Sequence, residues 1–323
     1  MANKNLIEVN NLKKYFIQSN FLGTRKTVVK AVDNISFFIK KGETFGLVGE
    51  SGCGKTTLGR SIIRMHEVDS GEILFDGVDL AKLKKNELAK YQSKMQIVFQ
   101  DPYSALNPSL NVKEIVGEPL SVHKLSDRQI TERVEELLNM VGLTPGDLNK
   151  FPFEFSGGQR QRIGIARALS YQPDFILCDE PISALDVSIQ AQVINLLEDF
   201  QEELGLTYLF VAHDLSMVRH ISDRIGVMYL GKIIEIGKSD DVYFNPLHPY
   251  TKALISSVPI PDPDSSRKAK RTIIEGELPS PIDIPSGCRF HTRCKYAMDI
   301  CRIEEPEMLE VSEGHCLACH LYK

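Results

Sequence analysis

An α/β fold is the expectation from this sequence, and three observations carry it. The runs "MQIVF" (95–99), "FILCD" (175–179) and "YLFVA" (208–212) are apolar throughout, as strands buried on both faces of a parallel sheet are. Helical hydrophobic periods alternate with them. A glycine-rich turn, "GESGCGKTT" (49–57), follows a fourth apolar run and opens a further helix. Strands alternating with helices argue an α/β core.

Residues 5–80 read as short strands and turns. "TVVKAV", "ISFFI", "TFGLVG" and "EILFDG" are β-branched or aromatic runs broken by Gly, Asn, Asp and Lys, and one helix starts among them at Gly54–Lys55. The stretch 102–155 is mostly helical and interrupts the core. Within it, Ile130, Val134, Leu137, Leu138 and Val141 share one helical face, opened by a Ser126–Gln129 capping box and closed at Gly142. Residues 188–204 repeat the pattern with Ile189, Val193, Leu196, Leu197 and Phe200, closed by Gly205. "RIGVMYLGKIIEIG" (224–237) reads as a hairpin. After about residue 245 the chain turns proline-rich and loses its period, in "NPLHPY", "VPIPDPDSS" and "LPSPIDIPSG", as a linker or wrapping segment does.

Composition narrows the function classes. With 323 residues, 42% hydrophobic and 25% charged, the chain can build a sizeable core. A net charge of −5 exerts no general pull on nucleic acid or anionic lipid. The start "MANKNLIEVNNLKKYF" lacks the apolar centre of a signal peptide, and no apolar run approaches the roughly 20 residues that span a bilayer. A soluble cytosolic chain is expected, so disulfides are a poor first explanation of its cysteines.

The turn at 49–57 fits G-x-x-x-x-G-K-[ST] between a strand and a helix, the context that confirms a P-loop NTPase. Glycines let backbone N–H groups turn inward around phosphate oxygens, and the helix N-terminus adds partial positive charge. Lys55 would reach the β and γ phosphates, and Thr56 would ligate Mg²⁺. "FILCDEP" (175–181) is an apolar strand ending in two acids: Asp179 for Mg²⁺, and Glu180 to orient or deprotonate an attacking water. "FSGGQRQRIGIARAL" (155–169) is a second helix start with a hydroxyl and bare amides, a second anion site on the same chain.

These motifs together resemble the ABC-transporter ATPase subunits over about residues 6–245, with "FSGGQ" as the family signature and Phe155 where Leu is more usual. The resemblance implies a RecA-like core with an antiparallel β subdomain and an inserted helical subdomain at about 102–165. It implies ATP and Mg²⁺ as ligands, with Gly49, Ser51, Gly52, Gly54, Lys55, Thr56 and Thr57 around the phosphates. Gln100 matches the Q-loop, whose Gln reaches Mg²⁺ and the water; Asp186 in "SALD" matches the D-loop; His213 in "FVAHDL" matches the switch His at the γ-phosphate. Tyr15 falls where the family stacks an aromatic on adenine, with Phe16 the neighbouring candidate. Two such subunits stack head to tail, so Ser156, Gly157, Gly158 and Gln159 would close on the ATP of a second ATPase subunit.

"QDPYSALNPSLNV" (100–112) and "NPLHPYTKALISSVP" (245–259) resemble the subfamily serving oligopeptide, dipeptide and nickel importers, in its F-type subunit. That resemblance implies a heterodimer beneath two transmembrane permeases, with an extracytoplasmic peptide-binding protein, at the cytoplasmic face of the membrane. It leaves nickel or another small solute open as cargo. A soluble ABC ATPase of DNA repair or translation is the alternative class. Against it, only about 100 residues, without sustained heptads, separate the P-loop from the signature, and the chain has one cassette.

Five of seven cysteines lie in "CRFHTRCKYAMDIC" (288–301) and "CLAC" (316–319). The spacing indicates a thiolate metal site without naming the metal. The subfamily resemblance implies a [4Fe–4S] cluster on Cys288, Cys294, Cys301 and Cys319, with Cys316 able to replace Cys319. Zinc remains the alternative, helped by His291, His315 and His320, and so do free thiols. The expected organisation is an ATPase domain over 1–245, then a linker and cysteine extension over 246–323 lying outside the ATP chemistry.

Overall fold

A computed structural model describes residues 4–19, 26–121, 125–257, 276–277 and 279–322. The proline-rich run "VPIPDPDSS" (258–266) lies outside the described residues. In chain order the elements are β1 (Asn5–Ser19), β2 (Lys26–Lys40), β3 (Thr44–Val48), α1 (Lys55–Ile62), β4 (Ser70–Phe75), β5 (Val78–Asp79), α2 (Lys85–Gln92) and β6 (Met95–Val98). There follow α3 (Pro102–Ala105), α4 (Val112–Ser121), α5 (Asp127–Met140), α6 (Gly157–Leu169), β7 (Phe175–Asp179), α7 (Val187–Leu204) and β8 (Thr207–Ala212). The chain ends with α8 (Leu215–Ile221), β9 (Arg224–Tyr229), β10 (Lys232–Lys238), α9 (Ser239–Phe244), α10 (Pro249–Ser256), α11 (Asp299–Ile303), β11 (Leu309–Ser312) and β12 (His315–Leu317).

The chain divides into two compact units. One holds residues 82–209 with 40–43. Here β6 and β7 pair in parallel, Met95 opposite Phe175 through Val98 opposite Cys178, and β8 neighbours β7. All five residues of β7 are buried, which is why its sequence shows no alternation. Helices α4, α5 and α6 pack on one another in this unit. The expected capping box forms on α5: Ser126 Oγ accepts from the Gln129 N–H, and Gln129 Oε1 accepts from the Ser126 N–H. Helix α7 ends at Gly205 in the left-handed region, φ 66°.

The other unit holds residues 5–39, 44–81 and 210–323. One antiparallel sheet runs β2-β1-β4-β5, and a second run has the order β11-β12-β10-β9-β3 with β3 and β9 parallel. The short strands expected before residue 40 are two strands of 15 residues each. The broken pattern reflects irregularities within them. Asn11 (φ 49°) and Asn34 (φ 60°) take left-handed backbone, and the β1–β4 register shifts between Asn10 and Lys13. Asparagine tolerates that region better than a branched residue would.

The β9–β10 hairpin turns at Leu230 and Gly231, φ 42° and 80°, as a tight two-residue loop requires. The cysteine segment is not an appendix. Strand β12 adds antiparallel to β10, with Glu235 opposite Leu317 and Ile236 opposite Cys316. Among the described residues no helix is long and apolar enough to cross a membrane.

Candidate active site

The loop between β3 and α1 is shaped by two glycines. A Cβ on Gly49 would lie 2.2 Å from the Met228 carbonyl oxygen, and one on Gly54 (φ 109°) would lie 2.0 Å from that of Ala31. No L side chain fits either place. The loop wraps the Lys55 ammonium, which donates to the carbonyls of Gly49 at 2.8 Å and Glu50 at 3.2 Å. Lys55 is buried, Thr56 and Thr57 are half-buried at the start of α1, and Ser51 and Gly52 are exposed. Cys53 points inward, and burial pushes its thiol up, away from reactivity.

Contacts from distant residues brace this loop. The Glu50 N–H donates to the Tyr250 hydroxyl at 2.9 Å, and the Glu50 carboxylate accepts Arg293 Nη1 at 2.8 Å and Nη2 at 3.1 Å. The candidate adenine-side residue, Tyr15, is half-buried and donates its hydroxyl to Asp33 at 2.5 Å. Burial, then the bond to Asp33, push the Tyr15 phenol up to about 12. Burial alone would raise the Asp33 carboxyl. Hydrogen bonds from Tyr15 and Arg289 and the Arg289 charge outweigh it and hold the group below its ordinary range. Arg289 also donates to the Leu230 carbonyl. Phe16 instead meets the His66 ring edge-on, centroids 5.7 Å apart. His213 is exposed between β8 and α8.

In the other unit, Asp179 is the buried last residue of β7. Glu180 follows at φ 50°, a strained backbone for a non-glycine residue and one that clusters at functional sites. The structure brings Glu180 to Gln100: Gln100 Nε2 donates to Glu180 Oε2 at 2.9 Å. Ser156 caps α6, its hydroxyl accepting the Gln159 N–H at 3.4 Å and its own N–H donating to Gln159 Oε1 at 3.0 Å. Gly157 is half-buried, and Gly158 sits under Ile189, whose Cγ2 would be 2.5 Å from an added Cβ. Ser156, Gln159 and Asp186 are exposed, and Asp186 opens α7 without capping it through its side chain.

The tail cysteines divide into two environments. Burial pushes the Cys288 thiol up to about 11, and Cys301, Cys319 and Cys294 add to the shift. Burial also raises Cys294 and Cys319, and both feel Cys301. Cys316 responds to burial, Glu310 and Arg224 instead, which separates it from the other four. Among the described residues, no three His, Cys, Asp or Glu side chains are gathered tightly enough for one metal ion.

Comparison with known proteins decides the family. A family described as "ABC transporter" matches residues 32–183, and "Oligopeptide/dipeptide transporter, C-terminal region" matches 234–301. The chain is 54% identical over 320 residues to the putative oligopeptide transport ATP-binding protein YkfD of Bacillus subtilis, covering 98% of this chain and 96% of that one. This chain belongs to the ATP-binding subunits of ABC-type oligopeptide/dipeptide transporters.

The oligopeptide transport ATP-binding protein AppF of the same organism is also 54% identical, over 98% of this subunit and 97% of its own length. Among solved structures, the cassette MJ0796 bound to ADP and Pi aligns with TM-score 0.64 and 32% identity, over 72% of this subunit and 98% of that chain. Clostridium perfringens cbiO1, part of the transporter complex cbiONQ, aligns with TM-score 0.65 and 29% identity, over 75% and 91%. The fold is that of the ABC cassette, and the subunit is the ATPase of an ABC transporter.

Sequence reasoning missed Glu50, Asp33, Tyr250, Arg289 and Arg293. The signal was available for three of them: "HPY" (248–250) was read only as a subfamily mark, and both arginines adjoin cysteines in "CRFHTRC".

Proposed function

We propose that this subunit binds MgATP and hydrolyses it to power import of oligopeptides or dipeptides through two permease subunits. The phosphate loop carries the reading, because its two obligatory glycines and buried Lys55 build a cradle for phosphate oxygens. Lys55 exchanges the Gly49 and Glu50 carbonyls for the β and γ phosphates, with Ser51, Gly52 and Thr57 offering donors beside it. Thr56, Gln100 and Asp179 are the oxygen donors assigned to Mg²⁺, a hard cation suited to them. Glu180 aligns the attacking water, Gln100 holds Glu180 until substrate arrives, and His213 contacts the γ-phosphate. Tyr15 stacks on adenine.

Ser156, Gly157, Gly158 and Gln159 close on the nucleotide of a second ATPase subunit, with Asp186 at the same junction. The likeness to AppF favours the F-type member of a heterodimer, with an extracytoplasmic peptide-binding protein delivering cargo. The subunit then sits at the cytoplasmic face of the membrane, with its ATPase domain over 1–245 and its linker and cysteine extension over 246–323.

Cys288, Cys294, Cys301 and Cys319 are the residues that would hold a [4Fe–4S] cluster, each supplying a thiolate to one iron. Their mutual electrostatic influence supports this set, and the lack of a tight three-ligand group argues against a single zinc. When bound, such a cluster supplies cross-linking and one-electron chemistry. Anaerobic purification followed by visible absorption and metal analysis tests it; colourless protein with one zinc would refute it.

The catalytic assignment is tested by Glu180→Gln. ATP binding stays intact while phosphate release by the assembled transporter falls at least about 100-fold. Turnover near the wild-type rate would remove Glu180 from the role. Stimulation by a peptide-loaded binding protein supports peptide cargo; stimulation by nickel or another small solute alone would overturn it.

A further inference from the structure

We infer that the C-terminal region positions the phosphate loop, with Tyr250 and Arg293 gripping Glu50 from two sides and thereby setting the affinity for ATP. The inference rests on the ATP-site reading above and assigns the tail a part in it.

Three observations carry it. Glu50 is the second residue of the phosphate loop, between Gly49 and Ser51. Its backbone N–H is held by the Tyr250 hydroxyl at 2.9 Å, and its carboxylate takes both Nη atoms of Arg293, at 2.8 and 3.1 Å. The Arg293 side chain is only 8% exposed, so this is a buried, two-pronged pair rather than a surface contact.

Charge makes the grip consequential. An unpaired carboxylate within a phosphate-binding loop repels a triphosphate, and the repulsion grows where water is excluded. Arg293 cancels that charge and fixes the carboxylate's direction, while Tyr250 fixes the backbone at the same residue. Both grips come from well-anchored elements. Tyr250 is fully buried in α10, which His248 caps. Arg293 also reaches the Tyr229 hydroxyl at 3.5 Å and precedes Cys294, while Arg289, four residues earlier, ties Asp33 and through it Tyr15. Arg293 and Tyr250 are thus positioning residues: they act on nucleotide through Glu50.

The test is a charge cycle on the full chain, read as the Kd for MgATP by equilibrium titration. Arg293→Ala weakens binding about tenfold, by leaving the Glu50 charge uncompensated. Adding Glu50→Gln removes that charge and brings Kd back to within about threefold of wild type. A residue of merely structural importance does not show this rescue. Tyr250→Phe deletes a single oxygen and raises Kd about threefold, which keeps the test open should Arg293→Ala not fold. A folded Arg293→Ala protein with wild-type Kd overturns the inference, as does a double variant no better than the single, or an unchanged Kd in Tyr250→Phe. Lys55→Ala separates the two levels: if it retains ATP binding, the ATP-site reading itself fails. If it loses binding while Arg293→Ala keeps it, only the positioning role fails.

Discussion

The loop before α1 and the turn before α6 both present a helix N-terminus rich in glycine, yet they are finished in opposite ways. The first is buried, and Lys55 fills it from within. Gly49 and Gly54 have backbone carbonyls pressed against them, and Glu50 is held by Tyr250 and Arg293. The second is exposed at Ser156 and Gln159, and its capping box is closed by its own side chains. One anion site is braced by its own chain. The other is a surface, suited to completion by a second chain. Helix dipoles attract anions equally at both; what differs is which chain supplies the rest of the site.

The largest effects fall on chemistry. Lys55→Ala removes the cation from the braced site and lowers ATP affinity at least about 100-fold in the isolated subunit. Ser156→Arg places bulk and charge on the open one. It leaves ATP binding by the isolated subunit within about twofold, yet lowers phosphate release by the assembled transporter about 100-fold. Equilibrium binding on the subunit and turnover in the complex make the pair of measurements. Equal loss of binding in both variants would erase the distinction between the two sites.

Stability sharpens the same contrast. Gly54→Ala drives a methyl against the Ala31 carbonyl at left-handed φ and costs about 3 kcal/mol or more. Gly157→Ala meets nothing closer than Leu185 Cδ2 at 3.6 Å, and it changes stability by less than about 1 kcal/mol. Urea unfolding of the two variants checks this, and a Gly157→Ala loss as large as that of Gly54→Ala would show the second start to be braced as well.

What was legible in the sequence was local. Strands β6 and β7 and helices α5 and α7 announce themselves through apolar runs, periods and caps within a few residues. The phosphate loop is legible for the same reason. Strands β1 and β2 were harder, because bends at Asn11 and Asn34 interrupt the pattern without ending the strand. The role of the tail was not legible at all. Arg293 and Glu50 are 243 positions apart, His315 and Glu235 are 80 apart, and a side-chain pair at such separation leaves no period to read. The proline-rich composition around it suggested a detached segment, whereas burial and strand pairing with β10 attach it.

The smallest effect concerns what holds the brace. His248 is buried, its Nδ1 accepts the Tyr250 N–H at 3.0 Å, and its own N–H donates to Glu235 Oε2 at 3.0 Å. Burial lowers its pKa from the ordinary 6.5 to about 4, against the pull of Glu235 and with a small push from Lys252. A neutral imidazole is also what the cap requires, since a protonated Nδ1 cannot accept. The unfolded chain then takes up this proton before the folded one, so stability rises with pH across the window. It is lost as pH falls from about 6.5 toward about 4. Between pH 7 and pH 5 the loss from this group is about 2 kcal/mol. In His248→Gln an amide oxygen can accept the same N–H without titrating, so urea unfolding at the two pH values should show wild type losing about 2 kcal/mol more than the variant. Equal losses would mean that another group carries the acid sensitivity, and that α10, with the Tyr250 hydroxyl it delivers to Glu50, is not held by a neutral histidine.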